Sequence, residues 1–305
     1  MNKAPPVPPD GFEISSRPDG RGLPPRIRCL TALPAMAKPD IDSPYPLTAV
    51  QIAQFRRDGF IKLKHVLSPE ALAYYGAVIT TETFRLNTMH LPIEQRDTYN
   101  KAFLQVGNIW TKNETVKEFC WGQRLARMAA ELLGVRGVRM YHDQALYKEA
   151  GGGITPWHAD QYYWPMSNAN SVTAWIPLQA VPQEMGPLAF SIGSHQFEAG
   201  RELAISDESE AKIGRSLKEK NYPLNDTPFD LGEVSFHYGW TFHRAGPNTT
   251  KTPRAVMTII YMDEDMRLIA PNTKAREGDR NVFAADVEVG AVMDGKMTPI
   301  IYHAA

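Results

Sequence analysis

The chain is predicted to fold as helices flanking a mostly antiparallel β jelly roll, and three features of the sequence point there. Helix-cap signatures crowd the stretch before Gly134. After Gly134, short β-prone runs alternate with Gly, Pro and Asn turns, the texture of a sandwich or barrel. Residues 1 to 46 are rich in proline and can supply neither a long helix nor an interior strand. The expected organisation is therefore a proline-rich N-terminal arm over 1–46 and a single domain over 47–305.

The arm contains Pro5, Pro6, Pro8, Pro9, Pro18, Pro24 and Pro25, and reads as extended chain. Ile27, Leu30, Leu33 and Met36 would give it something to bury if it wraps the domain. Order is expected from Thr48, where Thr48-Ala49-Val50-Gln51 forms a capping box and Val50, Ile52 and Phe55 supply apolar positions. Gly59 stops that helix. Phe60 to Leu67 alternates apolar and basic residues over part of its length, which suits a half-exposed strand. Ser68-Pro69 starts a second helix, with serine as cap and proline at the first helical position, running to about Leu86. A third helical stretch lies between Asn113 and Leu133 and ends at Gly134, a residue able to adopt the left-handed C-cap conformation. The β-prone runs that follow are Val138–Tyr147, Ser171–Val181, Val234–Phe236 and Ala255–Met262.

Composition narrows the function classes. Hydrophobic residues make up 43% and charged residues 22%, as in an ordinary globular protein. The formal net charge is −1 and no block of Lys/Arg stands out, so neither nucleic acid nor an anionic membrane is an expected partner. No apolar run approaches the roughly 18 residues of a membrane span. The N-terminus carries no secretory pattern, and the two cysteines, Cys29 and Cys120, read as reduced thiols. A cytoplasmic location is the expectation.

The chemistry concentrates in Thr155-Pro156-Trp157-His158-Ala159-Asp160. In extended chain, residues i and i+2 project from one face, so His158 and Asp160 can reach one metal. A third ligand must come from another strand. His243 is the main candidate and His237 the alternative; Arg254 follows His243 by eleven residues and His237 by seventeen. Arg254 opens an apolar strand, a costly place for a guanidinium unless a carboxylate meets it. A hairpin would set His243 and Arg254 side by side. Two histidines and one carboxylate leave the opposite face of an iron open, the arrangement of Fe(II) oxygenases. A 2-oxo acid and O₂ would fill it, and arginine has the shape to grip a distal carboxylate. Trp175 is read either as core or as a pocket wall. The run Tyr162-Tyr163-Trp164-Pro165 cannot bury every ring from one strand, so substrate contact is expected there. His195, after Gly193-Ser194, is read as a turn residue, with substrate contact as the alternative.

Across roughly 55–262 the chain resembles the phytanoyl-CoA dioxygenase-like branch of the 2-oxoglutarate-dependent oxygenases. The resemblance rests on Asp58-Gly59-Phe60, His158-x-Asp160 and Thr173-Ala174-Trp175-Ile176-Pro177-Leu178. It continues through Gly186-Pro187-Leu188, Gly193-Ser194-His195, and His243 with Arg254. It implies a double-stranded β-helix fold, Fe(II) on His158, Asp160 and His243, and the co-substrates 2-oxoglutarate and O₂. Arg254 would hold the distal carboxylate, Trp175 would line the co-substrate pocket, and Gln105 would make a polar contact there. The sequence departs from the family where many members carry His-x-Ser-Gly, since Ala245 replaces the serine. Another hydroxyl, with Tyr147 as the candidate, is expected to compensate.

The implied reaction is hydroxylation of an unactivated C–H in a secondary metabolite or modified amino acid, with release of succinate and CO₂. Asp160 argues against halogenation, because related halogenases lack this carboxylate. Desaturation, cyclisation and epoxidation use the same chemistry. An acyl-CoA is disfavoured because no basic cluster stands ready for its phosphates. Two other classes compete: a non-catalytic metal-binding jelly roll, and a zinc hydrolase on the same ligands. Neither needs a dicarboxylate pocket made by Arg254 and Trp175.

Overall fold

The computed structural model describes residues 38–304. Ile27, Cys29, Leu30, Leu33 and Met36 lie outside them. Residues 39–46 contain no helix or strand but are tied down: Ile41 is buried, and Asp40 pairs with Arg124 at 2.7 Å.

Helix α1 (Ala49–Asp58) has the expected capping box between Thr48 and Gln51, and Gly59 ends it at φ +83°. Strand β1 (Phe60–Leu63) follows, then α2 (Pro69–Leu86), capped by Ser68 Oγ accepting from the Ala71 N–H. A short α3 (Thr98–Ala102) leads into β2 (Leu104–Gly107). The helical stretch expected up to Leu133 is two helices, α4 (Glu114–Cys120) and α5 (Gln123–Leu133). The N-cap of α5 is Gly122, which has no side chain to offer; Asp42 supplies the cap instead, accepting from the Gln123 N–H at 2.9 Å. Gly134 closes the helix in the left-handed conformation.

The remaining elements are β3 (Gly137–Tyr147), β4 (Thr155–His158), β5 (Ser171–Pro177), β6 (Leu188–Ser191), α6 (Asp207–Glu219) and β7 (Leu224–Asn225). They are followed by β8 (Val234–Tyr238), β9 (His243–Ala245), β10 (Val256–Asp263), α7 (Lys274–Phe283) and β11 (Ile300–His303). One antiparallel sheet of seven strands has the order β1–β8–β5–β10–β3–β11, with β2 also pairing to β3; a four-stranded sheet has the order β4–β9–β6–β7. This is the predicted jelly roll, with its helices alongside.

The period of two along each strand separates core from site. Val172, Ala174 and Ile176 of β5, Phe236 of β8, Met257 and Ile259 of β10, and Ala145 and Tyr147 of β3 join the helices in one core cluster. Their sequence neighbours on the opposite face are Thr173, Trp175, His237, Thr258, Ile260, His142, Gln144 and Leu146. With His158, Leu188, His243 and Ala245 of the smaller sheet, these line one cavity of about 530 Å³.

Candidate metal centre and active site

His158 and His243 are cross-strand partners on β4 and β9, which brings their rings to 4.1 Å between centroids. Asp160 lies just past the end of β4. Ala159 keeps an extended backbone (φ −124°, ψ 128°), so the same-face relation between His158 and Asp160 survives even though the strand has ended. Each histidine Nε2 is 3.5 Å from Asp160 Oδ1.

The Nδ1 atoms are committed elsewhere. His158 Nδ1 donates to the Pro156 carbonyl at 2.8 Å and His243 Nδ1 to that of Thr241 at 2.9 Å. These bonds fix the tautomer and turn both unprotonated Nε2 atoms toward the carboxylate. Burial, and then the neighbouring His158, hold His243 well below the usual imidazole range, so it is neutral at physiological pH. Three lone pairs converging on one point repel each other unless a cation sits among them. The donor set therefore fits a divalent metal, and its mixture of imidazole and carboxylate fits iron.

Asp160 Oδ2 is held separately, by the Thr173 hydroxyl at 3.0 Å and by His237 Nε2 at 3.3 Å. His237, the alternative third ligand, thus bonds to the oxygen facing away from the other two histidines. Among the described residues, His158, Asp160 and His243 form the group whose ligand atoms lie within 4.8 Å of one another.

A second polar cluster lines the cavity around Arg254. Arg254 is 1% exposed; Nη1 donates to the Gly186 carbonyl, while Nε has no partner among the described residues. Its guanidinium lies 5.3 Å from the centre of the Trp175 ring. Gly186 belongs to the Gly-Pro-Leu motif and must be glycine: at φ +69°, a Cβ there would fall 2.3 Å from the Gly246 carbonyl oxygen. Burial pushes the Arg254 pKa down to about 9, so it remains a cation at neutral pH.

The hairpin expected between His243 and Arg254 is not formed. His243 is on β9 and Arg254 lies just before β10, strands of different sheets, and the two residues meet the cavity from opposite walls. Arg254 instead pairs with Lys148. Lys148 is fully buried; it donates to the Gly153 carbonyl and reaches Thr155 Oγ1 at 3.4 Å. Burial, reinforced by Arg254, pushes its pKa down to about 6. Among the described residues no carboxylate forms an ion pair with Arg254 or Lys148. Thr155 also lines the cavity and faces Ala245 directly across the β4–β9 pair.

The other expected site residues divide. Gln105, Trp175, Tyr163 and Trp164 line the cavity, Gln105 accepting from the Tyr99 hydroxyl at 2.6 Å. Tyr147 does not. It sits one residue out of phase, on the core face of β3, with its hydroxyl 2.8 Å from Thr80 Oγ1 on α2. His195 is also elsewhere, in a turn against α1, with Nε2 3.1 Å from the Arg56 carbonyl and its ring stacked on Tyr238. Tyr162 stands outside the cavity with its ring against Tyr163. Sequence reasoning missed Lys148, Thr155, Thr173, His142 and Asp279. Period-two counting from Gln144 and Leu146 would have found Lys148 and His142. Asp279 had no such signal, because α7 contributes no fully buried residue.

Two antiparallel sheets enclosing a His/Asp/His triad and a buried arginine define the class of double-stranded β-helix oxygenases. The chain belongs to the phytanoyl-CoA dioxygenase (PhyH) family, whose profile matches residues 55–256. It is an oxidoreductase of the dioxygenase type. It is 20% identical over 236 residues to a probable alpha-ketoglutarate-dependent hypophosphite dioxygenase of Stutzerimonas stutzeri, covering 71% of this chain and 79% of that one. It is 25% identical over 222 residues to the 2-aminoethylphosphonate dioxygenase of uncultured bacterium HF130_AEPn_1, covering 70% and 81%. In fold it is similar to the non-heme alpha ketoglutarate dependent carbocyclase SnoK from nogalamycin biosynthesis. That match has a TM-score of 0.70 at 21% identity, over 85% of this chain and 100% of the other.

Proposed function

We propose that this chain uses Fe(II), 2-oxoglutarate and O₂ to hydroxylate an unactivated C–H of a small molecule. The balance is one 2-oxoglutarate, one O₂ and one C–H giving succinate, CO₂ and one C–OH. The observation that carries this reading is a single cavity joining a three-ligand metal cluster to buried Arg254, which has no carboxylate partner among the described residues.

His158 Nε2, Asp160 Oδ1 and His243 Nε2 would hold the iron, which supplies the O₂ and redox chemistry when bound. Arg254 would grip the distal carboxylate of 2-oxoglutarate with its unpartnered edge, and Trp175 and Gln105 would wall the same space. Thr155 supplies the hydroxyl that Ala245 lacks. An unpaired buried guanidinium is costly, and an arriving carboxylate relieves that cost. Thr173 and His237 keep Asp160 turned toward the metal. Tyr163 and Trp164 line the room left for substrate. Cys120 is a buried free thiol, which supports placing the protein in the reducing cytoplasm.

The test is anaerobic Fe(II) binding followed by succinate release in air. One iron per chain and 2-oxoglutarate-dependent succinate are expected, both abolished in His158→Ala. Equal succinate release from His158→Ala and wild type would refute the assignment.

A further inference from the structure

One side of the cavity is closed by α7, which contributes Gly278, Asp279, Val282 and Phe283 to the lining. Asp279 and Phe283 are four residues apart and share a helix face. Asp279 Oδ2 accepts from the Tyr141 hydroxyl at 3.1 Å. The Tyr141 ring lies 4.9 Å from Phe283 and 5.7 Å from Trp164, and His142 stacks on Phe283 at 4.6 Å. His142 lines the cavity 3% exposed, and its Nδ1 has no hydrogen-bond partner among the described residues. Burial pushes its pKa down to about 4, so it is neutral.

Strand register locates this corner. Ile260 pairs with Thr173 on one side and with His142 on the other, placing the Asp160 partner and the Asp279 corner at the same level, two strands apart. Two strand spacings are about 10 Å. Along the same ladder the backbones of Ile260 and Arg254 are six residues, about 20 Å, apart, and the Arg254 side chain reaches back to Trp175, whose strand partner is Thr258. Arg254 therefore enters from one end, and the Asp279 corner lies beside the metal cluster. Among the described residues the lining contains no Lys or Arg besides Arg254. Arg276 is turned away, donating to the Tyr162 carbonyl and to Asn272.

Resting on the function proposed above, we infer that the substrate carries an ammonium group, with Asp279 as its counter-ion and Trp164, Tyr163 and Phe283 as aromatic walls. A cation over such faces is attracted by the ring quadrupoles, and a carboxylate in a half-buried corner gains most from a charged donor. Asp279 has that unmet demand: burial raises its carboxyl to about 7, with the Tyr141 hydroxyl pulling the other way. The spacing of about 10 Å suits a small molecule anchored at Asp279 with a C–H near the metal.

The test uses the protein loaded anaerobically with Fe(II) and 2-oxoglutarate, titrated with benzylammonium and with uncharged benzyl alcohol by ligand-detected NMR. Wild type should bind the ammonium about tenfold or more tightly than the alcohol. Asp279→Asn should erase that preference, while Tyr141→Phe, which keeps the carboxylate, should retain it. Equal affinities in wild type, or a preference that survives in Asp279→Asn, would overturn the inference. The affinity for 2-oxoglutarate is measured alongside. Intact 2-oxoglutarate binding without ammonium preference defeats this inference alone. Ammonium preference without 2-oxoglutarate binding defeats the co-substrate assignment and leaves the cation site standing.

Discussion

Lys148 and Arg254 are cross-strand partners, hydrogen-bonded to each other through both backbones at 2.8 and 3.0 Å, and both side chains are buried. A buried guanidinium beside a buried amine, with no carboxylate partner among the described residues, is an unfavourable arrangement for a folded chain. An anionic ligand makes sense of the pair.

Arg254→Ala should raise the apparent KM for 2-oxoglutarate by roughly 30-fold or more, since cutting a buried charged contact costs about 2–5 kcal/mol. Arg254→Lys should recover only part, because an ammonium cannot form the guanidinium fork. A KM that stays within about twofold of wild type in Arg254→Ala would mean the carboxylate sits elsewhere.

Thr155→Val and Tyr147→Phe separate two candidates for the missing serine hydroxyl. Loss of one hydrogen bond to a charged group is worth about 1.5–3 kcal/mol. Thr155→Val should therefore raise the KM for 2-oxoglutarate by about tenfold or more with little change in kcat. Tyr147→Phe should leave KM unchanged and lower only thermal stability, through the lost bond to Thr80. The opposite pattern would return the role to Tyr147.

His243→Ala should abolish Fe(II) binding. His237→Ala should keep one iron per chain but weaken its affinity by about 10- to 100-fold, the usual consequence of removing a residue that orients a ligand. Inductively coupled plasma spectrometry after dialysis reads this directly. Retained iron in His243→Ala, with loss in His237→Ala, would exchange their roles.

Lys148 makes the ligand-free protein's stability depend on pH. The unfolded chain keeps this lysine protonated up to about pH 10, whereas burial and the adjacent Arg254 lower its folded pKa to about 6. Between those values the unfolded state binds more protons, so this residue makes stability rise with pH through the window. Its destabilising effect is full below about pH 6 and gone above about pH 10. Lys148→Met should remove that part of the slope in thermal melts, gaining most over wild type at the acid end. Identical slopes would show that the folded lysine keeps its proton.

With iron held as proposed, Asp160 would take the position that a halide needs and repel it by charge. Wild type supplied with substrate and excess chloride should give an oxygenated product without chlorine, read from the isotope pattern in mass spectrometry. Asp160→Gly should lose most oxidation, because vacating the position does not aim a substrate at the halide. A chlorinated product from wild type would overturn the hydroxylase reading.

Features governed by neighbours in the chain were legible in the sequence. Thr48 with Gln51, Ser68 with Pro69, and Gly134 set helix ends through hydrogen bonds and backbone preferences spanning only a few residues. The alternation along β3, β5 and β10 was equally local, and so was the pairing of His158 with Asp160. What required the tertiary structure was phase and partner. Tyr147 is a cavity residue or a core residue according to one step of strand register, and only α2 packing behind β3 decides which. Thr155 faces Ala245, 90 residues further along the chain, because β4 lies against β9. His243 and Arg254 are close in sequence yet sit on opposite walls, since the chain changes sheets between them. Asp279 belongs to a polar helix whose sequence shows no buried stripe, and it enters the site because α7 is laid over Tyr141 and Trp164. Short-range preferences act on adjacent residues, whereas a cavity is made by side chains from many strands, and its chemistry follows from how those strands are brought together.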